Sequence, residues 1–178
     1  GLHVLKFGGT SVGSLRRIKN VAQILKQRAQ DHQVVAVLSA MSGETDALMD
    51  SALFFTNQPF RRELDLLLAS GEQKSISLMS ICLHAMGQEA VSLLASQVKI
   101  LTDAQHNYAR IARIDSDRIR QELRNKKIVL IPGFQGINEM GDLTTLGRGG
   151  SDTSAVAVAA SLKADRCEIF TDVEGVYT

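Results

Sequence analysis

Gly141-Asp142-Leu143-Thr144-Thr145-Leu146-Gly147-Arg148-Gly149-Gly150-Ser151-Asp152-Thr153-Ser154 runs without a break into the apolar run Ala155–Ala160. Three glycines within four residues, a guanidinium among them, and hydroxyl and carboxylate groups directly after are the make-up of an anion site. Glycine admits close approach of backbone to ligand, successive N–H groups form a nest, and the N-terminus of a following helix adds partial positive charge. The expected guest is a phosphate or a carboxylate. A loop merely capped by Ser151 or Asp152 is the plainer alternative, but capping explains neither Arg148 nor the pair Gly149-Gly150.

A second glycine pair, in Lys6-Phe7-Gly8-Gly9-Thr10-Ser11, follows the apolar Val4-Leu5 and precedes a helical pattern. Strand, glycine turn with Lys, Thr and Ser, then helix is again an arrangement that seats phosphate on backbone donors. It is not a Walker A loop, because the Lys precedes the glycines. Nor does Gly147-Arg148-Gly149 complete a dinucleotide fingerprint, since Asp152 holds the third glycine position. The loop Ser39-Ala40-Met41-Ser42-Gly43-Glu44-Thr45-Asp46 places hydroxyls at a strand's carboxyl end, where open α/β sheets bind ligands, and Ser42 or Thr45 could equally open a helix. Glu72, after Ser70-Gly71, stands at the expected start of a helix, where a dipole-compensating acid is commoner than a ligand-binding one.

The elements that must position these groups follow from the hydrophobic pattern. Strands are expected at 3–7, 33–38, 98–101, 127–131 and 168–171, with 134–138 continuing the sheet. Helices are expected from Ser14 to about Gln30, at 47–55, from Glu72 to Gly87, at 90–95, after Asp115 or Ser116, and at 153–163. The stretch 102–113 reads as a polar connection. Strands alternating with helices indicate α/β layers around a mainly parallel sheet.

At 178 residues, 44% of them hydrophobic, the chain suits one domain with an ordinary core. Twenty basic against nineteen acidic side chains leave a net charge of +1. With no long block of like charge, neither nucleic acid nor an anionic membrane is an expected partner, and a small ligand is. No apolar stretch is long enough to span a bilayer, and no signal pattern opens the chain. Cys82 and Cys167, far apart and outside any CxxC, read as buried thiols of a reducing compartment, the cytoplasm. His3, His32, His84 and His106 lack metal-ligand spacing, so no protein metal site is expected.

Taken in order, several of these stretches resemble one family, the aspartate kinases of the amino acid kinase (carbamate kinase-like) fold. They are Lys6–Ser11, Ser39–Gly43 with Thr45, Ser70-Gly71-Glu72, Thr102-Asp103 with His106 and Ala109-Arg110-Ile111, Pro132-Gly133-Phe134-Gln135-Gly136, Thr144–Asp152, and Thr171-Asp172-Val173 with Gly175-Val176-Tyr177. Glycine pairs alone would also suit glutamate 5-kinase, acetylglutamate kinase or uridylate kinase. The short interval between Thr45 and Glu72 resembles the compact subclass, and Glu174 and Ala95-Ser96 depart from the family's commoner Asp and Gly-Trp.

The resemblance implies a three-layer α/β/α sandwich with a mainly parallel sheet, truncated at its C-terminus: residues 1–178 would be an incomplete amino acid kinase domain without the ACT regulatory domains. It implies transfer of the γ-phosphoryl of ATP, with Mg2+, to the β-carboxylate of L-aspartate, opening lysine, threonine and methionine synthesis. Lys6 would bridge the ATP phosphates, with Phe7, Gly8, Gly9, Thr171, Asp172 and Tyr177 at the nucleotide and Asp152 holding the Lys6 ammonium. Arg148 would clamp the aspartate carboxylate, and Ser39, Thr45, Glu72, Gly149, Gly150 and Ser151 would complete the amino acid site, Glu72 facing the α-ammonium. A homo-oligomer or an assembly of kinase and regulatory subunits is implied for the full-length protein. A fragment that binds without turnover, and another amino acid kinase of the same fold, are the competing expectations.

Overall fold

The computed structural model describes residues 1–147 and 149–171. β1 (Leu2–Phe7), β2 (Gln33–Leu38), β3 (Ala90–Ser92), β6 (Ile128–Pro132) and β9 (Arg166–Phe170) form one sheet in the order β3-β6-β2-β1-β9, every pair parallel. A second, four-stranded sheet joins β4 (Ile100–Thr102), β5 (Ile111–Ile114), β7 (Gln135–Ile137) and β8 (Leu143–Thr145) in the order β5-β4-β7-β8. There β4 pairs antiparallel with β5, β7 antiparallel with β8, and β4 parallel with β7.

Period-two alternation distributes the central strands' side chains to two faces. Leu5, Phe7, Ala36, Leu38, Ile128 and Leu130 pack with α1 (Leu15–Arg28) and α3 (Arg61–Ala85). Val4, Val35, Val37, Val129 and Ile131 pack with α4 (Asp117–Arg124) and α5 (Gly150–Leu162). Two apolar faces, each covered by helices, make the three layers, and β1 and β6 are accordingly buried at every position. Ser14 caps α1 by accepting the Arg17 N–H at 3.2 Å. α2 (Glu44–Phe55) has no buried residue and lies against α3.

Several local expectations are corrected. The helix expected at Glu72 begins eleven residues earlier, and α3 runs through Ser70-Gly71-Glu72 without a break. Gly71 marks close packing rather than a stop: a Cβ there would lie 3.0 Å from the Ala40 Cβ. Residues 90–95 hold the strand β3, held by β6. The polar connection 102–113 ends in β5, and residues 134–138 contribute to the second sheet instead of extending the first. α2 starts at Glu44 behind Gly43, with no side-chain cap from Ser42 or Thr45. α5 starts at Gly150, so Ser151 and Asp152 sit in its first turn and cap nothing; the N-cap is Gly149, at φ 76°, a left-handed conformation that favours glycine. For α4 the acceptor of the Asp117 N–H is Asp115 Oδ1, at 3.0 Å. Cys82 is half-buried and Cys167 exposed, both as free thiols, so neither is the buried residue expected.

Candidate active site

All five parallel strands present their carboxyl ends to one side, and a cavity of about 760 Å3 opens there. It is bounded by Gly9 after β1, Ser39 to Gly43 after β2, Phe134 after β6, Thr145 to Gly147 at the end of β8, and Gly149 to Asp152 at the start of α5. Hydrogen bonds tie these loops together at their roots: the Ser39 N–H donates to the Phe7 carbonyl at 3.0 Å and the Gly133 N–H to the Leu38 carbonyl at 2.9 Å. The volume is that of a small-ligand site.

On the α5 side, Lys6 follows Val4 by two residues and so shares its face. Its Nζ lies 2.8 Å from Asp152 Oδ1, with the Lys6 side chain 11% and the Asp152 side chain 51% exposed. Gly8 adjoins the ammonium, since a Cβ at Gly8 would stand 3.4 Å from Nζ. An ammonium beside the first turn of α5, whose N–H groups lack helical acceptors, concentrates positive potential on one wall. Phosphate oxygens are the complementary guest.

Glu72 provides the opposite wall. It is 3% exposed, and its carboxylate accepts from its own backbone N–H and that of Ala40 and from Gln135 Nε2 at 3.1 Å. The Gln135 amide is shared, donating also to the Ala69 and Gly133 carbonyls at 3.2 and 3.4 Å. Burial therefore outweighs these donors and pushes the Glu72 carboxyl up to about 7. A cation brought beside it would restore the charged form.

Asp65, one of the residues the sequence did not single out, lies two turns before Glu72 on α3 and is fully buried. Its carboxylate accepts from His106 Nδ1 at 2.7 Å, the Asn107 N–H at 3.2 Å, Asn107 Nδ2, the Thr145 N–H at 3.0 Å and Thr145 Oγ1 at 2.6 Å. Asn107, Tyr108 and Thr145 then line the cavity. The sequence showed His106 and Thr145 within larger motifs, but nothing local marks Asp65 as their common acceptor.

Of the expected site residues, Lys6, Gly9, Ser39, Thr45, Glu72, Gly149, Gly150, Ser151 and Asp152 line the one cavity. The Phe7 side chain is elsewhere, in the core and stacked on Phe170 at 4.6 Å, so only its backbone is near the site. Thr171 is exposed and follows β9 at the same end of the sheet. Arg148, Asp172 and Tyr177 lie outside the described residues. Among the described residues no group of three or more His, Cys, Asp or Glu side chains is placed to hold a metal ion, and no helix is long and apolar enough to cross a membrane.

Known proteins share this fold. The chain is 54% identical over 178 residues to an aspartate kinase of Pseudomonas putida, a match spanning 99% of this chain and 43% of that protein. The crystal structure of aspartate kinase from Synechocystis superposes with a TM-score of 0.84 at 49% identity, over 97% of this chain and 29% of that one. E. coli aspartokinase III in complex with aspartate and ADP superposes with a TM-score of 0.85 at 26% identity, over all of this chain and 51% of that one. The chain thus spans less than half the length of the curated relative it matches. The profile of the amino acid kinase family matches residues 1–178, and with the fold in agreement, the chain belongs to that family.

Proposed function

We propose that the full-length protein is an aspartate kinase, transferring the γ-phosphoryl of Mg·ATP to the β-carboxylate of L-aspartate to give 4-phospho-L-aspartate. The observation that carries the reading is the opposition of charges in one cavity: the Lys6 ammonium and the start of α5 on one wall, the buried Glu72 carboxylate on the other. Aspartate brings an ammonium and two carboxylates, and ATP brings phosphates. Glu72 takes the α-ammonium, Ser39, Thr45 and Ser151 offer hydroxyls to the amino acid, and Arg148 supplies a fork for a carboxylate. Relatives named as aspartate kinases, one of them holding aspartate and ADP, support the same assignment.

The chemistry asks little of a base. An aspartate carboxylate, with a reference pKa near 3.9, is ionised at neutral pH and attacks as it stands. Catalysis then consists of placing two anions in line and neutralising the phosphoryl oxygens as charge shifts to them. Lys6 is the side chain positioned for that neutralisation, steadied by Asp152, with backbone donors from Gly8, Gly9, Gly149 and Gly150. Mg2+ belongs to the substrate, carried on the ATP phosphates. Thr171, Asp172 and Tyr177 would attend the nucleotide.

Acyl phosphate, trapped as the hydroxamate, tests the reading with aspartate, glutamate and acetylglutamate compared side by side. Aspartate is expected to dominate, and Lys6→Ala to lose about a thousandfold or more in turnover while remaining folded. Near-normal turnover in that variant overturns the Lys6 assignment; a preference for another acceptor overturns the substrate. Opening lysine, threonine and methionine synthesis in the cytoplasm, and assembling as a homo-oligomer or with a regulatory subunit, follow from the same proposal.

A further inference from the structure

We infer that Asp65 is a positioning residue for the amino acid half of the pocket: it fastens the second sheet and the 103–108 loop to α3, and thereby fixes where the rim of Asn107, Tyr108 and Thr145 stands relative to Glu72. Two separate segments converge on its carboxylate. His106 and Asn107 come from the loop between β4 and β5, and Thr145 comes from the end of β8, immediately before the glycine-rich loop that leads to α5. The cavity-lining residues Asn107, Tyr108, Thr145, Leu146 and Gly147 all lie on or directly beside those segments.

Asp65 and Glu72 share a face of the same helix, two turns apart. A buried carboxylate satisfied by five donors is a stiff link, because each donor left without it would be desolvated and unpaired. By contrast, Lys6, Gly8 and Gly9 belong to β1 and its turn, and no hydrogen bond of Asp65 reaches them. Loosening the link should therefore widen the amino acid side and leave the Lys6 side in place. The ligand's identity here rests on the aspartate kinase reading; the link itself does not.

The test is Asp65→Asn in the full-length protein, which keeps the volume but replaces one accepting oxygen by a donor. The KM for aspartate is expected to rise about tenfold or more, with kcat and the KM for ATP each changed less than about threefold. A purely structural residue would lower the melting temperature and leave the KM for aspartate unchanged. That result overturns the inference, as does an equal loss in kcat and in both KM values. Should Asp65→Asn fail to fold, His106→Ala removes one of the five donors and decides the matter: about a threefold rise in the KM for aspartate is expected, and no rise is contrary.

Amide hydrogen exchange gives a reading independent of any ligand. In Asp65→Asn the Asn107 and Thr145 amides should exchange faster while those of β1 keep their protection, and unchanged exchange at Asn107 and Thr145 would overturn the link. A wild-type protein that phosphorylates glutamate and not aspartate would end the substrate assignment alone, and the KM comparison would then be made with glutamate.

Discussion

Two carboxylates on the inner face of α3, equally hidden from water, are treated in opposite ways. Around Asp65 the chain assembles five donors from two distant segments, and the group closes a knot between α3 and the second sheet. Around Glu72 it supplies a shared side-chain amide, one loop N–H and the residue's own N–H, three donors against five. The first is finished by the fold. The second is left to be finished by a cation, and the cavity beside it supplies room for one. Burial alone does not tell a structural acid from a binding one; the count of donors does.

The largest effect should come from truncating the knot. Asp65→Ala leaves buried donors without an acceptor, and a loss of about 3–5 kcal/mol is expected in denaturant unfolding. A loss under about 1 kcal/mol would erase the difference between the two acids.

Next in size is a change of opposite sign at Glu72. Its carboxyl holds its proton more tightly folded than unfolded, with a folded value of about 7 against an ordinary 4.5. Its share of the stability is therefore complete below about pH 4.5 and is lost as the pH rises through 7, a difference on the order of 3 kcal/mol. Glu72→Gln removes the ionisation, so without substrate the variant should be more stable than the parent at pH 8, by about 1–3 kcal/mol. Equal or lower stability at that pH would place Glu72 with Asp65. The same variant should show a KM for aspartate raised about tenfold, because a charge-assisted bond becomes a neutral one.

A pH series sharpens the point further. Aspartate binds the ionised Glu72, so in the parent its affinity should fall about tenfold for each pH unit below 7, measured by titration calorimetry. In Glu72→Gln that slope should vanish between pH 5.5 and 7, roughly the range in which free aspartate does not itself titrate. The smallest effect is at Gly71, between the two acids. Gly71→Ala gains helix propensity of about 0.8–1 kcal/mol but presses a methyl to 3.0 Å from Ala40. A net change within about 1 kcal/mol is expected in thermal melts, with a two- to threefold rise in the KM for aspartate as Ala40 and its N–H are pushed aside.

The strands legible in the sequence were those that need no partner to identify them. β1, β2 and β6 are near-continuous apolar runs because both their faces are covered. β4 and β7 were read with displaced bounds, at 98–101 and 134–138, whereas β3 and β8, three residues each, are too short for a period to show, and their strand character comes from the neighbours they pair with. The start of α3 was misplaced because a glycine that precedes a helix and one that lets another segment approach look alike until the neighbour is placed. The glycine loops, Lys6 and Glu72 were legible through their motifs. Asp65 was not: its donors lie 41 to 80 residues away, and no local pattern points across such distances.

The strand order carries a consequence for how the molecule is made. β1 precedes every other strand described, yet one of its two neighbours is β9, with His3 opposite Arg166. At a translation rate of about 5–20 residues per second, β1 waits roughly 10–30 s for that neighbour. During the wait this fully buried strand can pair on one edge with β2, while its other row of amides and carbonyls is open to any passing strand. Completion of the sheet on that side of β1 thus waits until residues 166–170 have been made, an interval in which chaperone contact would have an open edge to protect.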